Sequence, residues 1–304
     1  MFQRVLVPLD GSAFGDRAIP LALQIAGRTG AHVDLVHIHM PGREDLSAIT
    51  PYQFEQVTSR YAERDQAELG VEREQIREKA ESLAREAGLV VTGSVVFGAV
   101  AEMLTNLAES SRADLIVMAT HGRTGFARAR LGSMADMVVR HASMPVLLVH
   151  PEPDGSIARA PLCRRILVPL DGSDFSEEVL QPATDFARLY DAEVMLVHVV
   201  DHRAKLPNAY LDPARATGVL LRHGGRIETV LAAHVVDGIL DAAERMGADL
   251  IAMATHGRGG LTRLVMGSTA SDLISRTHLP VLLRRPGISA PAFQGQSIAA
   301  ELRA

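Results

Sequence analysis

The chain has 304 residues, 47% hydrophobic and 22% charged, with a formal net charge of -5; that length suits two domains of ordinary size, and the composition is that of a globular protein. No apolar span reaches the ~18 residues a membrane helix needs, and the acidic balance argues against a general nucleic-acid binder. The lone Cys163 excludes an intrachain disulfide and a cysteine metal site and reads as inert.

The first residues, MFQRVLVPLDGS, run straight into a strand pattern with no charged leader, apolar h-region or cleavage site, so a cytoplasmic protein is expected. Strand patterns cover Arg4 to Leu9, Val33 to His39, Val90 to Phe97, Asp114 to Thr120 and Pro145 to His150. Helical patterns lie between them, near Phe14 to Arg28, Gln53 to Ala87, Val100 to Ser110 and Ser133 to His141. Strands that are continuously rather than alternately apolar, each followed by a helix, predict a parallel sheet covered on both faces. On the long second helix Leu69, Ile76, Ala80, Leu83 and Ala87 form one apolar stripe, read as core contact.

The whole pattern then recurs. RVLVPLDGS at Arg4 to Ser12 matches RILVPLDGS at Arg165 to Ser173 in 8 of 9 positions, an offset of 161. Ala113 to Leu148 matches Ala248 to Leu283 in 19 of 36 positions at an offset of 135, so the fall from 161 to 135 marks 26 residues missing from the second copy. The loss removes most of the long second helix and leaves room for a short helix or two, while RIETVLA, Arg226 to Ala232, still supplies a third strand. The second sheet should therefore be less fully covered on one face. The expected organisation is a first domain over 1–150, a linker over 151–164, a shortened second domain over 165–285 and a tail over 286–304. Each domain is expected to be α/β, a doubly wound five-stranded parallel sheet in the Rossmann-like order 3-2-1-4-5. The fifth strands, MPVLLVH and LPVLLRR, would leave apolar edges open; the expectation is that Val146 to Val149 pairs with Val281 to Leu283, an intrachain pseudo-twofold dimer.

In a doubly wound sheet ligands sit beyond the carboxyl ends of the strands, where strand order reverses. Strands one and four meet at that reversal, so the loops PLDGS and ATHGRTGFARARLGS face each other, as do their counterparts in the second copy. Gly122 permits close backbone approach; Gly132 and Ser133 open the helix SMADMVVRH, whose first amides and dipole favour an anion. Arg123 or Arg128 could add charge. Of the 31 basic residues only Lys79 and Lys205 are lysines, neither near a glycine-rich loop, which excludes a Walker-type site. Bland readings stand beside these: Ser133 as a simple helix cap, Asp10 as a cap of the first helix, His121 and His256 as loop histidines, His37 and His198 as packed or backbone-bonded strand residues.

On these residues the chain resembles a tandem universal stress protein over nearly its whole length. The family's ATP-binding signature, G-x2-G-x9-G-[ST], is matched from Ala119 through Gly122 to Gly132-Ser133, and from Ala254 through Gly257 to Gly267-Ser268, with alanine for the first glycine in both copies. The resemblance implies ATP, with Mg2+ able to accompany the triphosphate. Pro8, Asp10 and Ile38 would line the adenine and ribose end of the first site, and Pro169, Asp171 and Val199 that of the second. Ala119 and Ala254 would put a methyl group where the ribose lies; His121, Gly122, Arg123, Gly125, Gly132, Ser133 and Met134 would line the rest of the nucleotide in one copy, and His256, Gly257, Arg258, Gly267, Ser268 and Thr269 in the other. No residue is expected to be catalytic and no carboxylate cluster marks a metal site. The implied role is stress response or signalling, with a homodimer as further assembly. The alternatives are a nucleotide-free interaction module and a slow ATP hydrolase.

Overall fold

The computed structural model describes residues 2–39, 51–97, 100–120, 131–150, 163–201, 225–256 and 266–287. The first half runs β1 (Arg4–Leu9), a 3-10 turn (Gly15–Arg17), α1 (Ala18–Thr29), β2 (His32–His39), α2 (Pro51–Ala87), β3 (Val91–Phe97), α3 (Val100–Ser110), β4 (Leu115–Ala119), α4 (Ser133–His141) and β5 (Val146–Val149). The second half runs β6 (Arg165–Pro169), α5 (Asp174–Glu177), α6 (Leu180–Tyr190), β7 (Glu193–Asp201), β8 (Gly225–Ala232), α7 (Val235–Met246), β9 (Leu250–Ala254), α8 (Ser268–Arg276) and β10 (Val281–Arg284). Each first helix is split where a single helix was expected in the first copy. Pro20 and Pro182 are the third residues of α1 and α6, positions whose amide has no intrahelical partner, so the regular helix begins at the proline's own turn.

The ten strands among the described residues form one sheet in the order β3-β2-β1-β4-β5-β10-β9-β6-β7-β8. Within each half the pairing is parallel and follows the expected 3-2-1-4-5 order. The halves join antiparallel, Val281 opposite Leu148, Leu282 opposite Leu147 and Leu283 opposite Val146. Because equivalent strands meet antiparallel, a pseudo-twofold axis passes between β5 and β10, as the apolar edges imply.

The central strands β4, β5, β9 and β10 are buried at every residue, since helices cover both faces. The two layers of core run across the join: one contains Leu147 with Leu250 and Leu282, the other Leu148 with Ile251, Val281 and Leu283. On the first face the halves also touch through helices. Phe2 meets Phe186 edge-on at 5.0 Å, the Arg28 guanidinium lies 4.7 Å over the Tyr190 ring, and Tyr190 Oη donates to Gln24 Oε1 at 3.2 Å. Apolar area is thus buried continuously across the seam.

The outer edges differ. In the first half α2 lies directly on β3: Ile76 and Ala80 are buried and Leu83 packs on the core, whereas Ala87 is exposed and Ala84 takes its place at the last turn. Gly93 permits that approach, because a Cβ there would stand 2.5 Å from the Ile76 carbonyl oxygen. The strand register puts Ile227 at the position of Gly93, Leu196 pairing with one as Leu35 pairs with the other. Ile227 is 39% exposed and Leu231 74% exposed. The reduced cover expected of the second sheet is thus present on β8; the segment expected to hold a short helix or two, 202–224, lies outside the described residues, as do residues 151–162 of the linker expected over 151–164.

Candidate functional site

The chain after β1 and after β6 makes the same turn. Gly11 and Gly172 adopt φ of 77° and 78°, a left-handed conformation that glycine takes without a Cβ penalty. That fold-back lets the Asp10 carboxylate accept from Ser12 N–H at 3.0 Å and Ser12 Oγ at 2.6 Å. Asp171 accepts from Ser173 N–H at 2.9 Å and Ser173 Oγ at 2.5 Å. The serine oxygen then accepts the next free amide, from Gly15 at 3.0 Å and from Ser176 at 3.2 Å. Ser12 Oγ thus holds the amide that opens the 3-10 turn, whose N-cap residue Phe14 makes no side-chain cap bond, whereas Ser173 is the N-cap of α5; the aspartate considered as a cap of the first helix braces that serine in each copy. Gly15 is tight against this unit, since a Cβ on it would meet Asp10 Oδ1 at 2.7 Å.

The loops after β4 and β9 return to their own strand ends. Gly132 N–H donates to Thr120 O at 2.8 Å, and Gly267 N–H donates to Thr255 O at 2.9 Å. Thr120 and Thr255 are buried, so their carbonyls act as fixed pins. A Cβ at Gly267 would stand 2.9 Å from Thr255 O, which is the reason a glycine ends the loop. These glycines are the N-cap residues of α4 and α8 and carry no side-chain cap bond; Ser133 and Ser268 are the first helical residues and are exposed. The simple-cap reading of Ser133 is thereby overturned, because a serine at the first helical position lies past the cap. The first intrahelical bonds are Asp136 N–H to Gly132 O at 2.8 Å and Ser271 N–H to Gly267 O at 3.0 Å. The amides of Ser133, Met134 and Ala135, and of Ser268, Thr269 and Ala270, precede them at the positive end of each helix.

Parallel pairing of β1 with β4 and of β6 with β9 sets the two turns side by side. The 3-10 turn after β1 lies against β4, and α5 lies against β9. Each crevice thus has an aspartate-serine clamp on one wall and a pinned helix N-terminus on the other. Pro8 is buried within β1 and Pro169 half-buried at the end of β6. Ala119 and Ala254 end β4 and β9, 9% and 7% exposed. Met134 and Thr269 are half-buried in the first turns of their helices. His256 is half-buried, its Nδ1 2.9 Å from Thr255 Oγ1. Val199 is half-buried in β7 and packs under α7, where a Cβ on Gly238 would come 2.7 Å from its Cγ1. Ile38 holds its place in β2 opposite Val96, its side chain lying outside the described residues. His121, Gly122, Arg123, Gly125, Arg128, Gly257 and Arg258 also lie outside them.

The strand histidines behave as structural residues. His198 is buried with Nδ1 2.8 Å from Leu170 O, and His37 pairs with Glu72 at 3.4 Å. Among the described residues no group of His, Cys, Asp and Glu could hold a metal ion, and no helix is long and apolar enough to cross a membrane.

This doubled architecture coincides with a known family. The family model described as the Universal stress protein family matches residues 1–150 and again 163–285. The chain belongs to the universal stress protein family. A universal stress protein of Mycobacterium tuberculosis is 27% identical over 303 residues, covering 92% of this chain and 96% of that one. Among solved structures, a universal stress protein from Archaeoglobus fulgidus superposes with a TM-score of 0.64 at 19% identity over 93% of this chain and 96% of its own. One from Pseudomonas aeruginosa superposes with a TM-score of 0.62 at 21% identity over 94% of each chain. These structures share the tandem fold.

Universal stress protein membership accounts for the repeated loops, whereas the bracing of those loops by Ser12, Ser173, Thr120 and Thr255 was not legible in the sequence. Their signal was present, because all four stand inside the repeated strings LDGS and ATHG. Only folding shows which atoms of those strings bond to which.

Proposed function

We propose that each crevice binds ATP and that occupancy biases the protein's contacts in stress response or signalling, without catalysis. The observation that carries this reading is the duplicated pairing of a pinned helix N-terminus with a braced aspartate across the strand-order reversal. Exposed first-turn amides favour phosphate oxygens. On this reading Gly132, Ser133 and Met134, and Gly267, Ser268 and Thr269, meet the phosphates, with His121, Gly122, Arg123 and Gly125, and His256, Gly257 and Arg258, completing the wrap. Asp10 and Asp171 hold the ribose end, with Pro8 and Ile38, and Pro169 and Val199, toward adenine. Burial of Ala119 and Ala254 supports methyl groups that sit among protein atoms rather than across the crevice. Mg2+ would travel with the triphosphate. The same reading makes the protein cytoplasmic and pairs two chains as a homodimer.

Equilibrium binding of labelled ATP to the full chain tests it, followed by a turnover assay. The expected result is two sites per chain with no turnover above background. Asp10→Ala should weaken the first site by about 10- to 150-fold, the worth of a charge-assisted hydrogen bond. Unchanged affinity in both Asp10→Ala and Gly122→Val would mean that the nucleotide sits elsewhere. Absence of binding would leave the nucleotide-free interaction module as the function.

A further inference from the structure

At the opposite end of the second half, where β6, β7 and β8 begin and α7 ends, lies a cavity of about 400 Å3. The same place in the first half is filled by a closed polar network. There Arg4 donates through Nη1 to Ser111 O at 2.8 Å, meets Asp34 Oδ2 through Nε at 3.2 Å and lies 3.0 Å from His32 Nδ1. Thr92 Oγ1 donates to Asp34 Oδ1 at 2.7 Å and sits 3.1 Å from His32 Nε2.

Strand register identifies what replaces each member. Arg165 stands for Arg4, Glu193 for His32, Met195 for Asp34 and Arg226 for Thr92. Arg165 keeps one contact of its counterpart, donating to Met246 O at 3.3 Å. The carboxylate that engages Arg4 has become a buried thioether, which accepts hydrogen bonds only weakly. Glu193 compensates loosely, 3.9 Å from Arg165 Nε and 3.4 Å from Arg226 Nε, and Arg245 is bonded to Glu228. Three guanidinium groups against two carboxylates leave the lining with one positive charge in excess, while Met195, Met246 and Ile227 make its apolar part.

We propose that this cavity binds a small organic anion, a carboxylate or phosphate monoester carrying an apolar body. Arg165 and Arg226 hold the charged group, because a guanidinium presents planar, paired donors to such oxygens. The body lies on the methionines, whose flexible side chains adapt to varied apolar shapes. The volume is in the range of small-molecule sites, about 300–1,000 Å3. The site is separate from the nucleotide crevices and does not depend on them.

The test uses the full chain with 13C-methyl methionine, so that Met195 and Met246 report locally, titrated with phenyl phosphate, hexanoate, inorganic phosphate and hexylamine. Phenyl phosphate and hexanoate should shift both methyl signals saturably, inorganic phosphate should bind roughly tenfold more weakly, and hexylamine should leave them in place. Arg226→Gln, at a largely exposed side chain that folding tolerates, should weaken phenyl phosphate by roughly tenfold. Met195→Asp, which restores the first half's carboxylate, should abolish binding. No saturable shift, an equal response to hexylamine, or unchanged affinity in Arg226→Gln would overturn the proposal. The Arg226→Gln result decides it even if Met195→Asp does not fold.

Discussion

The two halves agree at the carboxyl ends of their strands and diverge at the outer edge. The Asp–Ser clamp repeats closely, 3.0 against 2.9 Å to the serine amide, and so does the loop pin, 2.8 against 2.9 Å. On the outer strands, by contrast, Gly93 lies beneath α2 where Ile227 stands partly in solvent. The lesson is about constraint. The crevice turns lie among central strands buried on both faces, where moving one backbone atom moves several packed neighbours. The edge strand has one neighbouring strand only, so reduced cover on one of its faces requires little adjustment elsewhere.

The largest effect should come from breaking what unites the halves. Leu147 is fully buried opposite Leu282 at the seam, so Leu147→Asp places a carboxylate in a core common to both halves, at a cost of about 4 kcal/mol. Urea unfolding followed by circular dichroism should remain one transition with a lower midpoint. Two transitions, only one of them displaced, would show that the halves fold independently.

Exchanging the edge residues sharpens the comparison next. Gly93→Ile forces a Cβ against helix backbone that cannot step aside, and should cost about 3 kcal/mol. Ile227→Gly should cost only about 1 kcal/mol, from strand entropy and modest lost burial. Equal losses in chemical denaturation would mean that the second edge is covered as tightly as the first.

A smaller difference is expected between the proposed nucleotide sites. The clamp and pin are equivalent, so phosphate affinity should be too, but the shorter chain after β7 should bury less of the base. Losing ~60 Å2 of burial is worth about 1.5 kcal/mol, roughly tenfold in favour of the first site. Calorimetry on Gly122→Val and Gly257→Val singly reads the remaining site in each; a tighter site surviving in Gly122→Val would reverse the ranking.

The smallest effect is alkaline. Burial, with Asp249 adding to it, pushes the Cys163 thiol up to about 12. A pKa raised by folding stabilises the fold only where the unfolded thiol is also neutral, below about pH 9, and that contribution is lost as pH rises from about 9 to about 12. Cys163→Val should therefore remove about 1 kcal/mol of destabilisation at about pH 10 relative to about pH 8, read from urea midpoints at the two values. An identical pH dependence in parent and variant would show the thiol to be accessible to water.

Apolar runs, their alternation with helical patterns and the repeat were enough to determine the doubly wound sheets, the order 3-2-1-4-5 and the edges that join, because each follows from local periodicity and from the handedness of short connections. The repeated strings also marked the turns that the pairing of β1 with β4 and of β6 with β9 sets side by side. What only the tertiary structure decided is which atoms meet across distance: Asp10 bracing Ser12 against the Gly15 amide, Thr120 and Thr255 as carbonyl pins, Gly93 as the seat of α2, and the opening of a cavity where Met195 replaces Asp34. A sequence records the spacing of residues along one strand or helix, while a contact depends on register between strands and on how closely a helix can approach them.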